Sequence, residues 1–372
     1  MSRARELADL SNVINKGANL QPNLIINSDM SLAQRGTSAV TATANFPVDR
    51  FRMDHSSDGA FSAQQSSVVP SSADFKNSLK VQTTTADSSL AATQFLYMRQ
   101  IIEGQNITHL LLGSSLAKKI TLSFWVRSSL TGTFGGSFWN DGFNRSHPYT
   151  YTINAADTWE KKTITITGDT SGTWLTTNGR GLNVAWGLGV GSTYSGTAGA
   201  WAGSGLVSTT GATSLLGTLN ATWYVTGVTL TVGDTAPVTH PYESFGENLK
   251  RCQRYFTKSG SIGTAEEWYA GVATYSAFGA RNAINLKSTN DRAWVTEQWP
   301  VHMRAIPTLT FYPARSALSQ TAGSISQYNA NTAVTTSTKP LASTQNLYNY
   351  FLGTSSDNTS GYTYQYYADA EL

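Results

Sequence analysis

Charge is what this chain has least of. Only 13% of its 372 residues are Asp, Glu, Lys or Arg, against roughly a quarter in ordinary soluble domains. The single cysteine, Cys252, excludes an intrachain disulfide and any multi-cysteine metal site. No run approaches the ~20 apolar residues that cross a bilayer, and Arg3, Arg5, Glu6 and Asp9 stand where a signal peptide needs an apolar stretch. The expectation is a soluble protein, made without an export signal and without membrane insertion. The formal net charge is +3 with Lys and Arg scattered, so the footprint of a nucleic-acid binder is missing. Catalytic signatures are missing too: no G-x-S-x-G elbow, H-E-x-x-H pair or phosphate loop occurs. The five histidines, at 55, 109, 147, 240 and 302, are far apart. Glu266 and Glu267 are adjacent, so on a strand they point to opposite faces and cannot act as a facing pair.

Ser, Thr, Gly and Asn fill the space that charge leaves, beside 10 Trp and 17 Tyr. Thr and aromatic residues suit a pleated, half-buried surface, and Gly, Asn and Ser supply turns. The chain is expected to fold as an all-β protein, and its length implies two cores rather than one. Ile120, Leu122, Phe124 and Val126 alternate with Thr121, Ser123, Trp125 and Arg127, the period-2 pattern of a strand with one face in a core. Thr163 to Thr167 repeats it, as do Val228, Leu230 and Val232. Short strands between turn clusters such as Gly168 to Gly172 and Asn178 to Gly181 favour an antiparallel sandwich, a jelly roll above other versions.

Three segments follow. Residues 1–22 carry a short helix whose Leu7, Leu10 and Ile14 form an apolar stripe, with Gly17 and Pro22 ending it. Such a helix is marginal alone, so the stripe packs on its own β-domain, self-associates or docks on a larger assembly. Residues 23–237 form the jelly roll. Residues 238–372 form a second β-domain, opened by a helix with a Ser244/Glu247 capping box and Phe245, Leu249, Cys252 and Phe256 on one face. Strands are then expected over Trp268 to Thr274, Asn282 to Leu286, Pro307 to Tyr312 and around Tyr362, Tyr364 and Tyr366, pairing the C-terminal residues into a sheet.

The phrases SRARELADL, NLIINSDMSLAQRG, AKKITLSFWVRSSLTGTFGGSF, TYTINAADTWEKKTITITGDTSGTWLTTNGRGL, ENLKRCQRYF and GYTYQYYADAEL together resemble tail-fibre-like virion proteins of tailed bacteriophages. The resemblance spans nearly the whole chain. It implies a virion component with an N-terminal attachment segment, a jelly roll like a carbohydrate-binding module, and a C-terminal β-domain. Such proteins are similar to homotrimeric fibres that mediate adsorption, and some relatives decorate the capsid instead. The implied location is therefore the virion, on tail or capsid surface. The implied partners are further copies of the chain, other virion proteins through residues 1–22, and a host-surface glycan.

Glycan recognition needs aromatic faces and a few orienting polar groups. Trp139, Phe143, Arg145 and Tyr149, in a segment that reads as too irregular for a core strand, have that composition, with Tyr194 and Trp201 in a second Gly/Ser-rich loop. A jelly roll of this kind often holds a structural calcium, for which Asn27, Asp29 and Asp49 are candidate oxygen ligands. No other cofactor and no enzymatic activity is expected. Three readings stand: a non-catalytic adhesin, a purely structural virion protein, and a glycan depolymerase built from distant carboxylates.

Overall fold

The computed structural model describes residues 22–71, 73–237, 239–241, 243–259, 281–286, 292–313, 324–327, 333–335, 341–342, 344–352 and 360–372. Leu7, Leu10, Ile14, Glu266, Glu267 and the strand expected over 268–274 lie outside them. The chain forms two compact units. The first takes residues 1–29, 41–44 and 53–243, and the second takes 30–40, 45–52 and 244–372. Thus residues 30–40 and 45–52, expected within the jelly roll, cluster with the C-terminal part of the chain.

One sheet has the order β1-β2-β5-β10-β7-β8, built from β1 (Asn45–Val48), β2 (Phe51–Ser56), β5 (Phe95–Glu103), β7 (Gly132–Trp139), β8 (Ser146–Ile153) and β10 (Arg180–Val190). The other runs β3-β4-β13-β6-β9, from β3 (Ala60–Ser66), β4 (Ser78–Thr85), β6 (Ile120–Ser128), β9 (Glu160–Ile166) and β13 (Thr222–Val232). Within the second sheet every neighbouring pair is antiparallel, and the all-β antiparallel sandwich expected from sequence is what forms. The alternation in β6 does what it predicts. Ile120, Leu122, Phe124 and Val126 are fully buried, and Phe124 meets Trp186 of β10 and Tyr151 of β8 edge-on, with centroids at 5.6 and 5.2 Å. Burying a ring of this size stabilises by on the order of 1.5–3 kcal/mol. The Trp223 indole of β13 donates to the Tyr151 hydroxyl at 3.2 Å, which ties the two sheets across the core.

β13 bends at Gly227, where its register with β6 shifts between Thr226 and Thr229. Gly227 has φ +60° and the Phe75 ring stands where a Cβ would go, so only glycine fits.

In the second unit α1 (Phe245–Gln253) starts as its capping box predicts, with the Ser244 hydroxyl accepting from the Glu247 amide at 3.3 Å. Phe245 is exposed rather than on a buried face. Phe256 is not on the helix at all but in β14 (Phe256–Lys258), which pairs with β22 (Ser360–Asp369). The chain leaves the helix because Tyr-Phe-Thr favours a strand and β22 offers a ladder. β22 also pairs with β15 (Arg281–Leu286), β17 (Thr308–Pro313) and β18 (Ser324–Gln327), so the C-terminal tyrosine strand is indeed held in a sheet. A separate three-stranded sheet joins β16 (Arg292–Gln298), β21 (Asn346–Leu352) and β20 (Leu341–Ala342). Buried charges tie the last residues down: Arg50 and Arg35 both pair with Glu371, and Arg35 reaches Asp369 at 2.9 Å. The Arg50 and Arg35 guanidinium groups lie over the rings of Tyr255 and Phe256. No helix among the described residues is long and apolar enough to cross a membrane.

Candidate functional site

The site grows from the period-2 alternation of β5. Leu96, Met98, Gln100 and Ile102 turn into the sandwich, so Phe95, Tyr97 and Arg99 turn to the opposite face of their sheet. Strand register sets their neighbours: Arg99 stands opposite Ala185 of β10, Ala185 opposite Ser137 of β7, and Asn183 opposite Trp139. Beyond β10 the chain returns over this face. A short turn at Ser192–Tyr194 leads to a parallel bridge between β11 (Ser195–Gly196) and β12 (Ser208–Thr209). The bridge sits on Gly135 and Gly187, whose missing side chains leave the room that Ser208 and Thr209 fill.

Five rings close into a circuit there. Phe95 meets Tyr97 (5.2 Å), Tyr97 meets Trp139 (6.0 Å), Trp139 meets Phe143 (5.6 Å), Phe143 meets Tyr194 (6.1 Å) and Tyr194 meets Phe95 (5.8 Å). Tyr97 and Trp139 are buried with Ala185 and Val207, while Phe95, Phe143 and Tyr194 stay half-buried at the rim. Beneath the rings runs a polar chain. Arg99 donates to Asp54 at 2.9 Å and to Asn183 at 3.0 Å, and its guanidinium lies 5.9 and 5.8 Å from the rings of Tyr97 and Trp139.

Phe143 is held at φ +49°, a left-handed conformation that costs a bulky residue ~1–2 kcal/mol. Asn140 braces that turn. Its side-chain oxygen accepts from the amides of Asn144 and Arg145 at 3.2 and 3.1 Å, and its amide group donates to the Asn144 side chain and the Thr173 carbonyl.

The six residues singled out in the sequence divide three ways. Trp139, Phe143 and Tyr194 belong to the ring circuit. Arg145 and Trp201 form a second group, in which Arg145 is bound bidentately by Asp169 and Trp201 meets His147 and Trp174 edge-on at 5.2 and 5.4 Å. The Trp201 indole donates to the Thr167 carbonyl at 2.8 Å. Paired backbone hydrogen bonds between Ser146 and Ala202, the chain neighbours of Arg145 and Trp201, tie this second group together. Tyr149 belongs to neither.

Two expectations are corrected. The segment 139–149 is not irregular throughout: Trp139 ends β7, Tyr149 lies within β8, and only 140–145 form the turn. Both side chains are buried, because the sheet is covered on one face by its partner sheet and on the other by the 191–209 excursion. The Tyr149 hydroxyl donates to the Ala185 carbonyl at 2.8 Å, and burial pushes its acidity well down, raising the phenol pKa. Neither ring has a face to offer a ligand.

Phe95, Tyr97, Arg99, Asp54 and Asn183 were not anticipated. The run Phe-Leu-Tyr-Met-Arg at 95–99 carries an aromatic-x-aromatic-x-cation alternation that would have marked one face of a strand. For the calcium candidates, Asn27 and Asp29 fall in the first unit and Asp49 in the second. Both Asp49 carboxylate oxygens accept from Gln34, at 2.9 and 2.7 Å. Among the described residues no three His, Cys, Asp or Glu side chains group as a metal site would require.

No protein-family model and no curated protein sequence matches the chain. Among solved structures, the enzymatically active domain of tailspike protein 4 of bacteriophage CBA120 is 10% identical and overlaps 57% of this chain with a TM-score of 0.33. The overlap spans only 21% of that tailspike chain. TmCBM61, in complex with β-1,4-galactotriose, is also 10% identical, over 57% of this chain and 99% of its own, at 0.31. The family 11 carbohydrate-binding module of the Clostridium thermocellum cellulosomal cellulase Lic26A-Cel5E is 12% identical, over 53% of this chain and 96% of its own, at 0.25. These overlaps are weak, and the β-sandwich stands on the strand pairings above rather than on them.

Proposed function

We propose that this chain is a non-catalytic glycan-binding protein of a bacteriophage virion, a tail fibre or tail-associated adhesin whose first unit contacts a host-surface polysaccharide. The observation that carries the reading is the aromatic rim. Phe95, Phe143 and Tyr194 are half-buried rings at the edge of a cluster whose buried members, Tyr97 and Trp139, rest on the buried Asp54–Arg99–Asn183 chain, and partly open aromatic faces on a rigid base are what a sugar's C–H faces stack on. The phage assignment rests on the sequence resemblance. In this reading residues 1–22 attach the protein to the particle, and the chain works as a homotrimer.

The test is binding of the full chain to polysaccharide from the host surface. Tyr194→Ala and Phe143→Ala weaken it several-fold each while the protein melts normally, since an aromatic contact contributes about 0.5–1.5 kcal/mol beyond its area. Unchanged affinity in both variants removes the rim from the function. A second reading, capsid decoration with a purely assembly role, is favoured by the burial of Tyr97 and Trp139. It predicts no polysaccharide binding and labelling on the head of an intact particle, whereas the adhesin reading places the label on the tail.

A further inference from the structure

Charge, not ring geometry, narrows what the rim accepts. Each of the two guanidinium groups of this region is held by a carboxylate of its own. Arg99 lies on Asp54 at 2.9 Å, with both side chains about nine-tenths buried. Arg145 is bound through two hydrogen bonds, at 2.7 and 2.6 Å, to Asp169, whose side chain is 1% exposed. The segments that build the rim and its flank, 91–97, 140–145, 167–174 and 191–209, contain one further charged residue, Asp141. It is exposed and stands in the turn that presents Phe143. The surplus charge of these segments is therefore negative, and neither arginine can turn to an anionic ligand without stranding a buried carboxylate.

We infer that the ligand is a neutral polysaccharide, held by ring stacking and neutral hydrogen bonds, and that Asp141 discriminates against uronate-, sialate- or phosphate-bearing chains. This inference rests on the glycan-binding reading and adds the ligand class to it. A carboxylate on the ligand would meet Asp141 across water and would find no unpaired cation in these segments. A neutral chain meets neither cost, and its binding has almost no screened component.

Affinity electrophoresis of the full chain tests it, through neutral polymers (dextran, galactan, xylan) and anionic ones (polygalacturonate, hyaluronate, polysialate), at about 20 and about 300 mM NaCl. The expected result is retardation by at least one neutral polymer, with an affinity that changes less than about twofold between the two salts. Asp141→Asn leaves that retardation unchanged and raises retardation by anionic polymers a few-fold. Retardation by anionic polymers alone, or an Asp141→Asn variant that leaves anionic retardation where it was, overturns the neutral-ligand inference while glycan binding stands. No retardation by any polymer, repeated with polysaccharide from the host surface, overturns both.

Discussion

Arg145 grips Asp169 with both arms of its guanidinium, Nε to Oδ2 at 2.7 Å and Nη2 to Oδ1 at 2.6 Å, and Asp169 in turn accepts from the Ser171 amide. The arginine closes the β7–β8 turn and the aspartate anchors the turn after β9, so the pair fixes two loops at one end of the sandwich.

The cost of breaking this pair depends on which side is removed. Arg145→Met leaves a buried carboxylate without its cation and is expected to cost on the order of 3 kcal/mol. Asp169→Asn keeps an acceptor for Ser171 and leaves the partly exposed Arg145 free to reach water, so it should cost about 1–2 kcal/mol. Urea unfolding of the full chain measures both. Equal losses below about 0.5 kcal/mol would mean that water already screens the pair.

Phe143 and Trp139 touch, yet their variants should separate stability from binding. Phe143→Asn relieves a left-handed phenylalanine while losing a half-buried ring, two effects of about 1–2 kcal/mol that oppose each other, so the melting temperature stays within a few degrees and polysaccharide binding falls. Trp139→Ala empties a buried site and costs about 3–5 kcal/mol. Thermal melts beside binding curves check both. A Phe143→Asn protein that melts far lower with unchanged affinity would make Phe143 a packing residue.

A buried histidine, His147, and a partly buried one, His240, set a pH window. Desolvation holds the pKa of both His147 and His240 below the ordinary 6.5. A neighbouring Asp29 opposes the shift at His240 and Lys161 reinforces it, while Asp169 opposes it at His147. With the folded pKa below the unfolded one, the unfolded chain binds the proton more readily. Stability is then full above pH ~6.5 and declines as pH falls toward the folded values, by up to about 1.4 kcal/mol per pH unit per histidine. Chemical denaturation at a series of pH values from about 7.5 down to about 5 measures the slope, and His240→Gln should flatten it. A slope identical in the variant assigns the decline to other groups.

The stripe of Leu7, Leu10 and Ile14 lies outside the described residues, and its role is tested in solution. Light scattering of the full chain is expected to give three times the chain mass. Removal of residues 1–22 is expected to leave the melting of the first unit unchanged and to abolish incorporation into particles. A monomer with and without the segment contradicts the trimer.

The strands of the first unit were legible where burial alternates, as in β9 with Lys161, Thr163 and Thr165 exposed, and so was the start of α1, because a capping box is a local device. Trp139 was not, since alternation cannot mark a strand buried on both faces, and β7 is buried from Phe134 to Trp139. Tyr149 does alternate with exposed Thr150 and Thr152, a strand signal that the turn residues before it obscured. What covers the second face is a loop without apolar pattern, residues 191–209. Phe256 kept helical spacing with Cys252 but was claimed by pairing to Asp369, more than a hundred residues away. The Asp54–Arg99–Asn183 chain joins three strands distant in sequence, and no local spacing could announce it.

The interleaving of the two units has a consequence for synthesis. Residues 30–40 and 45–52 leave the ribosome long before the partners with which they finally cluster, which begin at Ser244. At roughly 5–20 residues per second that gap lasts about 10 to 40 s. The first unit is completed within it, while the early pieces of the second must wait without their core. β22, the common partner of β14, β15, β17 and β18, is made after all of them, so these four strands lack that partner until β22 itself has left the ribosome. The main sheet of the second unit therefore closes only once β22 has emerged, and the interval before that is when these strands most need a chaperone or a neighbouring copy to shield them.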